Sequence, residues 1–159
     1  MGTLPQLLEE DIQQLDDVLR EFLGRSDATT ALIIDKGGFL ITHQGDAHQF
    51  DLTTVAALAS GAYLANQTIA NLVHEENFDS VYQQGEKFSM LVTNVDEHCL
   101  LLVVFKAQIG VGVVKYYAGP AREQVAAQLQ VAQERDPGAG LDLSVLNIAD
   151  TSSVFKRKA

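Results

Sequence analysis

Cysteine is nearly missing from this sequence: of 159 residues only Cys99 is one, so no disulfide can close within the chain. That residue opens an apolar run through Leu100, Leu101, Leu102, Val103 and Val104. A thiol there is expected to be buried and inert, because a reactive thiolate needs an accessible, electropositive setting. Positive charge is also scarce. Lys and Arg number 11 against 21 Asp and Glu, giving a formal net charge of −10. Such a surface repels phosphate backbones and anionic lipid, which excludes nucleic acid and membrane surfaces as expected partners while leaving room for a protein with a basic patch. No apolar stretch approaches the roughly 20 residues of a membrane-spanning helix, so no membrane insertion is expected. The segment Met1 to Gln6 lacks the basic and apolar regions of a secretory signal, and the expected location is cytoplasmic.

The residue patterns of catalysis are missing too. There is no phosphate-binding P-loop, no GxGxxG and no GxSxG. His43, His48, His74 and His98 fall in different predicted elements without metal-ligand spacing, and they read as solvated loop histidines. Glu9-Glu10-Asp11, Asp16-Asp17 and Glu75-Glu76 are sequence neighbours, which do not share a helix face, so solvation explains them better than acid–base work. No catalytic residue, cofactor or metal is expected. An enzyme is the least favoured class, and a binding or regulatory protein the favoured one.

What is present is the composition of a globular domain: 47% hydrophobic and 20% charged residues, enough to bury a core without staples. From about Leu4 to Leu23, the helical spacing of Leu8, Ile12, Leu15, Leu19 and Phe22 predicts a helix stopped by Gly24. Thr29 to Ile34 reads as a strand covered on both faces, Asp35-Lys36-Gly37-Gly38 as a turn, and Phe39 to His43 as the returning strand. Gln44 to Gln49 reads as loop. Further strands are predicted over Phe78 to Gln84, Phe88 to Val92 and Cys99 to Phe105. The last, apolar throughout, should be central, and the short polar one near Val81 should be an edge. Ile109 to Ala118 suits a strand by propensity and a helix by continuity with the helical pattern that starts at Pro120 and ends near Arg135. Residues 1–135 are expected to form one domain. A linker at Asp136-Pro137-Gly138-Ala139-Gly140 leads to a flexible tail over 136–159 that ends in Lys156-Arg157-Lys158.

The most informative segment is Leu52 to Val73, a predicted helix without one charged residue. Val55, Leu58, Ala59, Ala62, Ile69 and Leu72 define an apolar face taken as the one facing the sheet, yet Ala56, Ala57, Tyr63 and Leu64 lie off it. Eight of its residues are Thr, Ser, Gly, Asn or Gln, which argues against a membrane span. A helix bland all round is usually covered on more than one side, so its outer face is expected to meet another chain. The edge strand Ser80, Val81, Tyr82 and Gln83 offers unpaired backbone groups to a second copy.

Four stretches carry a family resemblance. Thr30 to Ile41, with Asp35-Lys36-Gly37-Gly38 at its centre, resembles the strand–turn–strand signature of the roadblock (dynein light chain) family. Asp51 to Gly61 resembles the opening of its second helix, Gln84-Gly85-Glu86-Lys87 resembles the turn before its fourth strand, and His98 to Phe105 resembles its fifth strand. The resemblance runs from about Gln13 to Leu129 and is nearest to the bacterial MglB-like branch. It implies an α/β fold of the α+β, profilin-like kind: a five-stranded antiparallel sheet with the first and third helices on one face and the second on the other. It favours helix over strand for Ile109 to Ala118, with a bend at Gly119-Pro120. It also implies a homodimer joined through the third strand and second helix, which binds a small Ras-like, MglA-type GTPase and promotes hydrolysis in bacterial cell polarity or motility without donating an arginine. Arg25, read as a loop residue, is then a surface group rather than a finger. Ala57, Gly61, Leu64, Ala65 and Thr68 would bind the GTPase or line the dimer seam, the two roles being undivided at this level. A dimeric scaffold without effect on hydrolysis, and less so a small-ligand sensor, are the alternatives.

Overall fold

The computed structural model describes residues 4–48 and 50–135, and the expected tail over 136–159 lies outside them. The chain order is α1 (Glu9–Ser26), β1 (Thr30–Asp35), β2 (Leu40–Gly45), α2 (Leu52–Leu72), β3 (Ser80–Gln83), β4 (Phe88–Asn94), β5 (Cys99–Lys106) and α3 (Val111–Glu134). The strands form one antiparallel sheet in the order β2-β1-β5-β4-β3.

Alternation along the central strands explains why they read as unbroken apolar runs. Ala31 and Ile33 of β1, with Cys99, Leu101, Val103 and Phe105 of β5, pack beneath α1 and α3. Leu32 and Ile34, with Leu100 and Leu102, pack beneath α2. Both helical layers are therefore built on the same two strands, with α1 and α3 on one face and α2 on the other. Cys99 is fully buried, and that burial pushes its thiol up to about 12.

The first helix begins later than its apolar spacing suggests, at Glu9 rather than Leu4, and runs past Gly24 to Ser26. Its start is fixed by Asp11, whose carboxylate accepts the Leu8 backbone N–H at 2.7 Å. Its end is fixed by Asp27 in the left-handed region (φ 58°), whose N–H bonds back to the Leu23 carbonyl. Arg25 therefore sits in the last helical turn, paired with Glu21 at 2.9 Å, and not in a loop.

Phe39 lies outside the second strand and is exposed, whereas the strand extends through Gln44 and Gly45, which had read as loop. Gly45 makes that possible. Its φ is +99°, and a Cβ there would come within 2.3 Å of the Thr29 carbonyl oxygen. β3 is confined to four residues and is an edge, while β4 reaches Asn94. Ile109 to Ala118 resolves as helix from Val111 onward, and α3 continues unbroken through Gly119 and Pro120. Val114, Ala118, Ala121, Val125 and Leu129 hold it to the core at helical spacing, which outweighs the backbone bond Pro120 removes.

Candidate functional site

The sheet-facing side of α2 is not the one its largest apolar residues mark. Leu52, Ala56, Ala59, Ser60, Tyr63 and Ala70 are buried, while Leu58, Ile69 and Leu72 point outward together with Ala62. Small residues face the sheet because the helix lies close over β1: the Ser60 hydroxyl donates to the Lys36 carbonyl at 2.6 Å, and a Cβ on Gly38 would touch the Ala57 backbone at 3.6 Å. At its start, Asp51 caps the helix by accepting the Thr54 N–H at 3.2 Å and the Thr54 hydroxyl at 2.8 Å. At its end, the Gln67 side-chain amide donates to the Phe78 carbonyl. The helix therefore passes from the β1–β2 turn towards the β3 edge.

Two flanks result. Ala57, Gly61, Leu64 and Thr68 follow one another at intervals of four and three, are all exposed, and look towards the ends of the strands near Lys36 and Asp96. Leu64 borders a polar hollow of about 400 Å³ whose other walls include Lys36, Tyr63, Asp79, Asp96 and Glu97. Val55, Leu58, Ala62, Ile69 and Leu72 form the opposite flank. Val55 also lines an apolar groove of about 460 Å³ with Phe50, Phe88, Met90 and Val104, which runs to Gln83 at the β3 edge. Ala65, exposed as well, lies on the crest between the flanks. Ala57, Gly61, Leu64, Ala65 and Thr68, which the sequence proposes as partner-binding, are all exposed. Sequence reasoning missed the Leu58–Leu72 stripe by assigning it to the core.

Along β3 the sides alternate. Val81 pairs with Val92 and Gln83 with Met90 on the α2 face. Tyr82 faces the other way, its ring stacked on Phe105 with centroids 6.2 Å apart. Tyr82 thus closes the α1/α3 core, while the outer backbone edge of β3 has no neighbouring strand among the described residues.

No described arginine is poised for insertion into a partner. Arg20 pairs with Asp17, Arg25 with Glu21, Arg122 with both carboxylate oxygens of Asp79 at 3.0 and 3.1 Å, and Arg135 with Asp11 and Glu10. Arg157 lies outside the described residues. Among the described residues, no three metal-ligating side chains converge and no helix is long and apolar enough to cross a membrane. His98 is not a solvated loop residue. Its side chain is only 8% exposed in the β4–β5 turn, where its N–H and that of Cys99 both donate to Asp96 at 2.8 Å.

An uncharged helix lying across one face of a five-stranded antiparallel sheet, with two helices on the other, defines a class, and the comparison with known families identifies it. The chain belongs to the Roadblock/LC7 domain family, whose pattern matches residues 14–105. Within that family it is MglB-like. A structure described as MglB with tetrameric arrangement superposes with a TM-score of 0.77 at 30% identity, covering 83% of this chain and 99% of that one. The gliding protein MglB from Thermus thermophilus gives 0.73 at 30% identity, covering 82% and 98%. Myxococcus xanthus MglB, at 24% identity and covering 80% and 96%, shares the fold with a TM-score of 0.75. No curated protein sequence matches the chain.

Proposed function

We propose that this protein is a cytoplasmic homodimeric regulator of a small Ras-like, MglA-type GTPase, acting as a GTPase-activating protein or co-regulator in cell polarity or motility. The observation that carries the reading is α2: 21 residues without a charge, with Leu58, Leu64, Ile69 and Leu72 about half or more exposed. Contiguous apolar surface of this kind marks a contact site.

The two flanks supply two contacts. If β3 pairs antiparallel with the β3 of a second copy about a two-fold axis, the copy's α2 comes to lie over the apolar groove beside Val55. Stripe then meets stripe through Leu58, Ala62, Ile69 and Leu72. Such an isologous arrangement closes on itself and leaves no free β3 edge. The opposite flank, with Ala57, Gly61, Leu64 and Thr68, stays open for the GTPase. Among the described residues no arginine is free to enter that partner's nucleotide site: each is tied to a carboxylate of its own chain. Acceleration would then come from holding the GTPase's own residues in their active arrangement. In the second reading, a dimeric scaffold, the same surface is used without effect on hydrolysis.

Single-turnover GTP hydrolysis by the MglA-type GTPase, with and without this protein, separates the readings. A rate that rises with the dimer's concentration supports the regulator, and complex formation at an unchanged rate supports the scaffold. Absence of any complex rejects both.

A further inference from the structure

The GTPase-facing flank of α2 has a one-sided electrostatic surround. Asp79, Asp96 and Glu97 open on the polar hollow beside Leu64, and Glu75 and Glu76 follow the end of α2 after Val73 and His74. The available cations are already engaged. Arg122 is bound to Asp79, and the Lys36 ammonium lies over the Tyr63 ring, 5.7 Å from its centre, where burial lowers its pKa against the opposing influence of Asp96 and Glu97. Among the described residues, no cation comes within ion-pair distance of Glu75, Glu76 or Asp96. The last turn of α2 carries no basic residue. A helix C-terminus bears about half a negative charge, so two glutamates placed after it are held against the local field. Asp79 and Asp96 also serve the fold, holding Arg122 and the His98 and Cys99 N–H groups, whereas Glu75 and Glu76 gain no cation from it among the described residues, and violations of local preference of this kind mark contact sites.

We infer that the carboxylates around the free flank of α2 select a GTPase surface in which lysines or arginines ring an apolar centre, the centre meeting Leu64 and the small residues Ala57 and Gly61. The inference rests on the GTPase reading above. The second copy is not the intended occupant of this end: in the dimer proposed above, its α2 would cover the groove at the other end of the strands, which is lined by Val104 and Gly85. A rim of one charge sign steers encounter and rejects like-charged partners more than it adds final affinity, so its signature is an association rate that salt suppresses.

The experiment is stopped-flow association of the full chain with the GTP-loaded MglA-type GTPase at about 20 mM and about 500 mM salt, across a severalfold change in screening length. It is run with the wild type, the Glu76→Lys/Glu97→Lys double variant and the neutralising Glu97→Gln variant. The wild-type rate is expected to fall at least about tenfold at high salt. The double variant should be about tenfold slower than wild type at low salt and nearly salt-independent, with Glu97→Gln between them. Light scattering should find the double variant still dimeric. Equal rates and equal salt slopes in all three proteins would overturn the inference. So would dissociation of the double variant's dimer, which would give these carboxylates to the second copy. Wild-type binding without salt dependence would overturn the rim alone, whereas no binding at either salt would overturn the GTPase reading and the rim with it.

Discussion

Asp11 offers the sharpest test of how the helical layer is held. It is fully buried, yet its carboxylate accepts the Leu8 N–H at 2.7 Å, the Gln128 amide at 2.8 Å, and both terminal nitrogens of Arg135 at 2.9 and 3.0 Å. The bonds from Arg135 are the largest influence, and together these donors overcome the cost of burial and hold the carboxyl at about 2 instead of 3.8. That difference corresponds to about 2.5 kcal/mol favouring the folded state. Asp11→Ala removes it and leaves a largely buried guanidinium, 23% exposed, with only Glu10 at 3.4 Å. The expected loss at pH 7 is about 2.5 kcal/mol, or about 10 °C in midpoint for a domain of this size, read by circular dichroism at fixed protein concentration. Because the folded pKa is depressed, the stabilisation is complete above the unfolded value of 3.8 and is lost as pH falls through about 2. The gap between wild type and variant should therefore be constant from pH 8 to about 4.5 and narrow only below that. A loss under about 0.5 kcal/mol, or a gap that closes between pH 5 and 7, would refute the reasoning.

Three further outcomes follow from the same coordinates. Cys99, with its thiol pushed up to about 12 and no exposed surface, should stay unreacted with a chromogenic disulfide reagent at pH 8 until denaturant is added; rapid labelling of the native protein would contradict its burial. Gly45→Ala should cost at least about 2 kcal/mol, since the new Cβ meets the Thr29 carbonyl in a left-handed conformation; an unchanged urea midpoint would mean the β2 end is not held as described. Leu58→Asp and Leu64→Arg lie on opposite flanks of α2. The first should reduce the mass in light scattering from dimer to monomer, while the second should keep the dimer and lose GTPase binding. Identical effects of the two would dismiss the division of the flanks.

The sheet was legible because its signals are redundant. β1 and β5 are long apolar runs that both helical layers demand, and the turn at Asp35 to Gly38 separates the first hairpin by residue type alone. The ends of elements were less so. α1 overran Gly24 because a non-glycine, Asp27, supplies its left-handed cap, and β2 overran the expected loop because Gly45 absorbs the close approach to Thr29. Ile109 to Ala118 was ambiguous since Val111, Val113 and Val114 favour strand, and only burial of Val114 and Ala118 against the core fixes it as helix. The candidate site was half legible. Absence of charge singled out α2, whose outer side is exposed and apolar, but hydrophobicity misidentified its inner side. Close packing on a sheet favours Ala56, Ala59 and Ser60 inward, and that leaves the leucines outward. The groove beside Val55 could not be read at all, because Phe50, Phe88, Met90 and Val104 are brought together only by the tertiary fold.

The most direct test of the central claim, that the uncharged helix exists to be covered by other chains, is the light-scattering mass of the purified protein alone and mixed with the MglA-type GTPase in its GTP and GDP states. The account predicts about 35 kDa alone, twice the 17.3 kDa chain, and a larger complex with the GTP form in preference to the GDP form. A 17 kDa monomer that forms no complex with either nucleotide state would contradict it.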